Sequence, residues 1–326
     1  MRRTRPSAIT ALAVALALSF IAGSGPASSQ TYPSRSITIL VAFPPGGFAD
    51  SFARLLGNRL SERLGQTVVV ENRPGGGGNI AAAAVAKAAA DGHTLLVTTN
   101  AIAINETLTK NRGFALGDLR AVSISAWAPE VLVVNPKHPA RTLAEFVAGA
   151  KGKPITYGSP GTGTSGHIVA TYFFKELMKM EAVHVPYQGG TPAVNAIMGG
   201  HVDVMAGTLV GYASQLQSGA IRGIAVASEK RLPEFPDMPT YADSGFPGII
   251  ASGWVGVFLP GRTEEAIATR LNRTIDAAVR EPEVHERLKA MQMQTRYGDR
   301  ASVEALFKEE VANWARMAQA IAGVEK

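Results

Sequence analysis

Apolar positions along the chain alternate between two spacings. Ser36–Phe43 (SITILVAF) is dense in β-branched residues and stops at Pro44-Pro45-Gly46-Gly47, the pattern of a strand closed by a turn. Phe52, Leu55, Leu56, Leu60 and Leu64 then recur at helical spacing, with Asp50 placed for the first turn. Thr67–Val70 is the next strand. The segment Asn72–Asn79 leads into an alanine-rich helix ending near Asp91-Gly92, and Thr94–Thr98 is a third strand. A βαβαβ run of this kind predicts a parallel sheet with helices on its faces.

The alternation restarts at Val131–Val134, stopped by Pro136. A helix over Thr142–Ala150, a strand at Ile155–Tyr157, a helix over Ile168–Met180 and a strand at Val183–Tyr187 follow. Then come a helix over Pro192–Met198 and a strand at Val202–Ala206. Pro233, Pro236, Pro239 and Pro247 fall in one irregular connection. After it, Gly253–Leu259 reads as a strand and Glu264–Arg280, Pro282–Met291 and Ser302–Ala322 as helices. No repeat at solenoid spacing is present. The pattern predicts an α/β protein of two lobes joined near residues 130 and 252, with the C-terminal helices returning to the first lobe.

The first thirty residues stand apart. Arg2, Arg3 and Arg5 precede an apolar run, Ala8–Ala22, and small residues lead to Ala27-Ser28-Ser29, the layout of a cleavable export signal. The run is shorter than the ~20 residues that span a bilayer. An exported, soluble chain is expected, periplasmic in a Gram-negative cell. Removing this segment leaves 29 basic against 26 acidic residues, a net charge of +3. No dense Lys/Arg run or basic-aromatic stripe speaks for nucleic acid. The absence of cysteine excludes disulfides, thiolate metal sites and Cys nucleophiles. The six histidines are dispersed without zinc spacing, so no metal or cofactor is expected.

Two strand-to-helix loops carry the candidate chemistry. In "GSPGTGTSGH", Gly158–His167, Gly161, Gly163 and Gly166 match the dinucleotide pattern G-x-G-x-x-G. However, Glu181, the acid at the right sequence distance, precedes the second strand instead of ending it. A P-loop reading fails because His167 and Ile168 stand where Lys and Ser or Thr are needed. A glycine-rich turn without a ligand is one reading. The other is an anion cradle without a fixed charge, in which a helix start offers backbone N–H groups and Ser159, Thr162, Thr164 and Ser165 add hydroxyls. "FPPGGFAD", Phe43–Asp50, is built alike, and Asp50 by itself reads first as a helix cap. Two such loops, one per lobe, could close on one small anion. Asn72-Arg73-Pro74 and the four glycines after it read as a mobile turn or as a wall of that cleft. Ser165 and His167 also permit an exported serine hydrolase, although they are too close in sequence to presume a dyad.

"YPSRSITILVAFPPGGFAD", "VENRPGGGGNIAAAAVAKAAADGHTLL", "VLVVNP", "ITYGSPGTGTSGH", "VHVPYQGGTPAVNAIMGGHVDVM" and "FPDMPTYADSGFPG" occur in order across the chain. Together they resemble the substrate-binding proteins of tripartite tricarboxylate transporters, the Bug receptors. The resemblance implies a type II periplasmic-binding-protein fold: an α/β protein of two lobes with parallel-rich sheets around a ligand cleft. It implies residues 1–30 as signal peptide, 31–130 plus 253–326 as lobe 1, and 131–252 as lobe 2. It also implies capture of a small organic carboxylate by a monomer that catalyses nothing and passes the ligand to a two-subunit membrane permease. A ligand-sensing receptor for a signalling partner is the alternative. The ligand-binding positions carried over are Phe43, Gly46, Gly47, Phe48, Ala49, Asp50 and Asn100 on one side. On the other they are Ser159, Gly161, Thr162, Gly163, Thr164, Ser165, His167, Tyr187 and Gly207. Phe48 stands where the family often has a small residue, and Gly207 where many members have an acid. Phe48, if it faces the cleft, narrows the pocket or adds an apolar wall. Without an acid at Gly207 an amino group on the ligand loses a partner, which favours a plain dicarboxylate or an aromatic carboxylate.

Overall fold

The computed structural model describes residues 32–322. The expected signal peptide lies outside them, and no helix among the described residues is long and apolar enough to cross a membrane. From Arg35 onward the chain forms one unit. It opens as the apolar pattern predicts: β1 (Ile37–Val41), α1 (Phe48–Leu64), β2 (Val68–Asn72), α2 (Asn79–Ala86) and β3 (Thr94–Thr99). β1 pairs in parallel with both β2 and β3. Helix α3 (Ala101–Leu108) follows at once.

β4 (Leu119–Val134) is 16 residues long, and only its last third has an obvious strand pattern. Its first part interleaves Ser123, Ser125 and small alanines, yet nearly all of it is buried. Both sides of β4 are covered, so the alternation that marks a half-exposed strand is missing. After it run α4 (Leu143–Gly149), β5 (Ile155–Ser159), α5 (Ser165–Thr171), β6 (Ala182–Pro186), α6 (Gly190–Gly199) and β7 (Val204–Thr208). Helix α5 continues into a π-helical turn, Tyr172–Leu177. The remainder comprises α7 (Ala213–Gln217), β8 (Arg222–Val226), β9 (Ser252–Pro260), α8 (Glu265–Val279), α9 (Pro282–Ala290), β10 (Gln294–Thr295) and α10 (Arg300–Ile321).

Among the described residues, ten strands form one sheet with the main order β2-β1-β3-β9-β4-β7-β5-β6. Its two ends are parallel, as predicted, but the centre is antiparallel. β9 runs against β3 and β4, and β4 runs against β7 and β8. The sheet is therefore mixed and not uniformly parallel. Leu119–Pro129 of β4 pairs with β9, whereas Glu130–Val134 pairs with β7 and β8. Glu130 N–H bonds Ala251 O at 3.0 Å, where the second chain crossing begins.

Helices cover both faces. Phe307 of α10 packs edge to face on Trp254 and Phe258 of β9, and the indoles of Trp254 and Trp314 both donate to Glu310 Oε2 at 2.6 and 3.0 Å. Helix α10 touches α3 and also the π-helical turn after β5. Four strands, β1, β3, β5 and β7, each end in a short connection to a helix. Those four ends converge, which is where open α/β sheets place ligands.

Candidate functional site

An uncharged chamber of about 60 Å3 lies where the four strand ends meet. Phe43, Gly47, Phe48 and Ala49 come from the β1 connection, and Thr99 and Asn100 from that of β3. Thr164, Ser165 and Gly166 follow β5, while Gly207, Thr208 and Tyr212 belong to β7 and its connection. Two helices begin at its edge. Gly47 caps α1 without a side chain, and the Thr164 hydroxyl does not cap α5. The first-turn N–H groups of both helices therefore keep their donor capacity, and the helix dipoles add partial positive charge. The Asn100 side chain supplies a further donor: it is 1 % exposed, and its Nδ2 has no hydrogen-bond partner. An unpartnered buried amide costs roughly 1–3 kcal/mol, which an acceptor in the chamber would recover.

Behind the first loop lies a charged network. The Asp50 carboxylate accepts from Gly46 N–H at 2.9 Å, Arg54 Nε at 3.0 Å and Asn72 Nδ2 at 2.8 Å. Asn72 also donates to Phe43 O at 2.9 Å. Burial raises the Asp50 pKa, but the bonds from Arg54, Gly46 and Asn72 outweigh it and hold the carboxyl below its ordinary value. Asp50 thus fastens the loop and does not line the chamber; nor does Gly46. The expected cap is extended into a staple joining loop, helix and β2.

The second loop is held by hydroxyls and histidine rings. Ser159 Oγ donates to Gly161 O at 3.1 Å and meets His184 Nε2 at 2.8 Å, and Thr164 Oγ1 donates to Gly161 O at 2.7 Å. The His167 ring, 1 % exposed, accepts from Gly163 N–H at Nδ1 (3.2 Å) and stacks on His184. Burial, with the nearby His167 and Lys175, lowers the His184 pKa to about 3, so that ring is neutral. Ser159, Gly163 and His167 are therefore internal supports. Ser165 Oγ donates to Glu130 Oε1 at 2.6 Å. Ser165 thus turns to Glu130, whereas His167 Nδ1 takes the Gly163 N–H.

Two glycines mark close approach. At Gly163, where φ is +76°, a Cβ would lie 2.1 Å from Asn105 Oδ1. Asn105 Nδ2 in turn donates to Gly77 O at 3.1 Å, so this side chain links the tetraglycine loop to the second loop. The space that a Cβ at Gly163 would take is filled by Asn105. At Gly207 a Cβ would meet the Tyr212 ring at 2.7 Å, so Tyr212 fills the space beside this glycine.

Gly161, Thr162 and Tyr187 line a second, open cleft of about 670 Å3, together with Pro74–Gly78, Asn105 and Arg112. Phe43, Pro44 and Pro160 border both spaces. The structure thus gathers eight of the carried-over positions at the chamber: Phe43, Gly47, Phe48, Ala49, Asn100, Thr164, Ser165 and Gly207. Sequence reading missed Tyr212 and Glu130. The first lies in a connection with no glycine signature, although Gly207–Tyr212 is a third strand-to-helix turn. The second was legible as a lone acid inside the apolar stretch "AWAPEVLVV".

Comparison with known proteins places this arrangement among relatives. The model of the tripartite tricarboxylate transporter family receptor matches residues 52–322. Protein BugT of Bordetella pertussis is 34% identical over 305 residues, 91% of this chain and 93% of its own. The solved structure of Rhodopseudomonas palustris Rpa4515 with adipate superposes with a TM-score of 0.85 at 32% identity, covering 89% of this chain and 98% of that one. MatC from Rhodopseudomonas palustris with bound malate gives 0.82 at 28% identity, covering 88% and 100%.

Proposed function

Because this chain belongs to the tripartite tricarboxylate transporter receptor family, we propose that it is a periplasmic receptor whose two lobes, 31–130 with 253–326 and 131–252, close on one small organic carboxylate. The family is one of solute-binding receptors, and its neighbours with adipate and with malate carry carboxylates. The observation that carries the reading is the unpartnered, buried amide of Asn100, a residue of the wall of a chamber that also holds two helix starts without side-chain caps and no charged side chain. Hydrogen bonds to a charged group contribute about 1.5–3 kcal/mol each. Several neutral donors therefore suffice to hold a carboxylate without Arg or Lys.

The chamber accepts one carboxylate head. The rest of the ligand runs past Phe43, Pro44 and Pro160 towards the open cleft, which holds Thr109, Asn111 and Arg112. Phe43 and Phe48 give the head an apolar wall, and no acid at 207 awaits an amino group. A dicarboxylate or aromatic carboxylate fits better than an amino acid. A two-subunit membrane permease is the partner that takes the ligand on.

Calorimetry tests this reading. The full mature chain, stripped of co-purified ligand by unfolding and refolding, is titrated with mono-, di- and tricarboxylates, aromatic acids and amino acids. Saturable binding of a dicarboxylate or aromatic acid is expected, and amino acids should bind at least about tenfold more weakly, one lost hydrogen bond. Silence across all the acids would remove the reading.

A further inference from the structure

Glu130 sits at the point where β4 changes partners, one hydrogen bond behind the chamber wall. Its Oε1 is 2.6 Å from Ser165 Oγ, while Oε2 is buried with no partner. A carboxylate so placed lacks the donors that normally compensate a buried charge. Ser165 has one proton to give and lines the chamber on its other side. A hydroxyl offers one donor and two acceptor sites, and a neutral carboxyl gains a donor of its own. The two groups can therefore share their hydrogens in two ways. With Glu130 ionised, the Ser165 proton is committed to Oε1, and the serine turns lone pairs towards the chamber. With Glu130 neutral, its O–H donates to Ser165 Oγ, and the serine proton is free to point at a bound anion.

We infer that Glu130 is a positioning residue that acts through Ser165 to couple carboxylate capture to a proton, the ligand being held while Glu130 is a neutral acid and released as it ionises. The inference rests on the chamber being the carboxylate site. In the ionised protein, capture takes one proton from solvent onto Glu130 as the ligand enters. The bound negative charge further disfavours ionisation, so the linkage is reciprocal.

The groups around Glu130 do not compete for this role. Tyr212, from the β7 connection, and Tyr241 face it with phenols that burial and Glu130 itself push upward, so both remain neutral. A Cβ placed on Gly253 of β9 would meet Thr208 of β7, Ser165 of α5 and Glu130 Oε1 itself, so the neighbours on that side bring no further ionisable group. His167, two residues along α5, directs Nδ1 to Gly163. No cation pairs with Glu130 among the described residues. Burial pushes its pKa up to about 8, against which the Ser165 bond is the smaller, opposing influence. The switch therefore falls just above neutral pH.

The test uses the mature chain and the tightest-binding acid from a panel that includes adipate and malate, titrated from pH 7 to 9.5. Above the Glu130 pKa, affinity should fall towards tenfold per pH unit, the slope of one linked proton. Near pH 8.5, heats measured in buffers of different ionisation enthalpy should report uptake of about three quarters of a proton, rising towards one at higher pH. Glu130→Gln, whose amide can donate to Ser165 permanently, should bind within about threefold of the parent at pH 7 and lose the slope. Binding at pH 7 with a flat profile, or the same slope in Glu130→Gln, overturns the inference and leaves the receptor reading standing. No binding of any acid at pH 7 removes both. If Glu130→Gln fails to fold, proton uptake by the parent protein decides alone.

Discussion

The two loops that face each other across the chamber present similar fronts but are supported differently. Phe43–Phe48 is fastened from behind by ionised groups, Asp50 and Arg54, with Asn72 between them. Ser159–His167 is fastened by hydroxyls and by the stacked rings of His167 and His184. Neither sends a charge into the chamber. A fixed cation there would hold an anion more firmly than a receptor that must release it requires, and would also demand desolvation of its own. Keeping charge behind the loop and backbone donors in front gives a rigid cradle without a permanent counter-ion.

The sharpest test of the second loop is Gly163→Val. The new side chain must displace Asn105 or move the loop, and it forces a branched residue to φ +76°. Overpacking and left-handed strain together predict a loss of about 3 kcal/mol or more in stability and at least about hundredfold in affinity. Repeating the substitution in an Asn105→Gly background separates two causes. If Gly163 only makes room for Asn105, the double variant recovers at least ~1 kcal/mol in a double-mutant cycle of denaturant midpoints. Equal damage in both backgrounds would show that Gly163 approaches the ligand itself.

The first loop should fail more gently and at a different pH. Asp50→Ala leaves Gly46 N–H and Asn72 Nδ2 without their acceptor, while Arg54, half exposed, is released to water. We expect a loss of about 1–3 kcal/mol, read from urea midpoints at pH 7. Because the Asp50 pKa is lowered in the folded chain, its contribution is present above the unfolded carboxylate value, near 3.9. It disappears as pH falls through the lower folded value. Asp50→Ala should therefore lose most at neutral pH and converge with the parent in strong acid. A deficit that stays constant down to pH 2 would mean the network contributes packing and not charge.

How far this architecture could be read in the sequence follows the same division. Phe43–Asp50 and Gly158–His167 were legible because a strand, glycines and a helix start leave a local signature. The partners that decide which residues face the chamber are distant in sequence: Asn72 for Asp50, His184 for Ser159, Asn105 for Gly163, Glu130 for Ser165. Period and spacing say nothing about such contacts, so the protein partners of Ser159, His167 and Asp50 were not legible in the sequence. The first half of β4 escaped for a different reason. Buried on both sides and rich in small residues, it has neither alternation nor a strong β-branched run.

The smallest expected effect compares the two supports directly through acid. His184 is neutral in the folded chain, its pKa lowered to about 3 by burial first and then by His167 and Lys175. The unfolded histidine takes up a proton near pH 6.5. Between those values the unfolded state holds the extra proton, so stability falls as pH drops from about 6.5 towards 3. This window opens well above that of Asp50, and the second loop should therefore weaken first on acidification. His184→Gln keeps a donor for Ser159 Oγ and removes the titration. Relative to the parent, it should flatten the slope of urea midpoint against pH between 6.5 and 4.5 by less than about 1 kcal/mol per pH unit. Parallel slopes in the two proteins would locate the acid sensitivity elsewhere, with His138, whose pKa burial also lowers, as the next residue to replace.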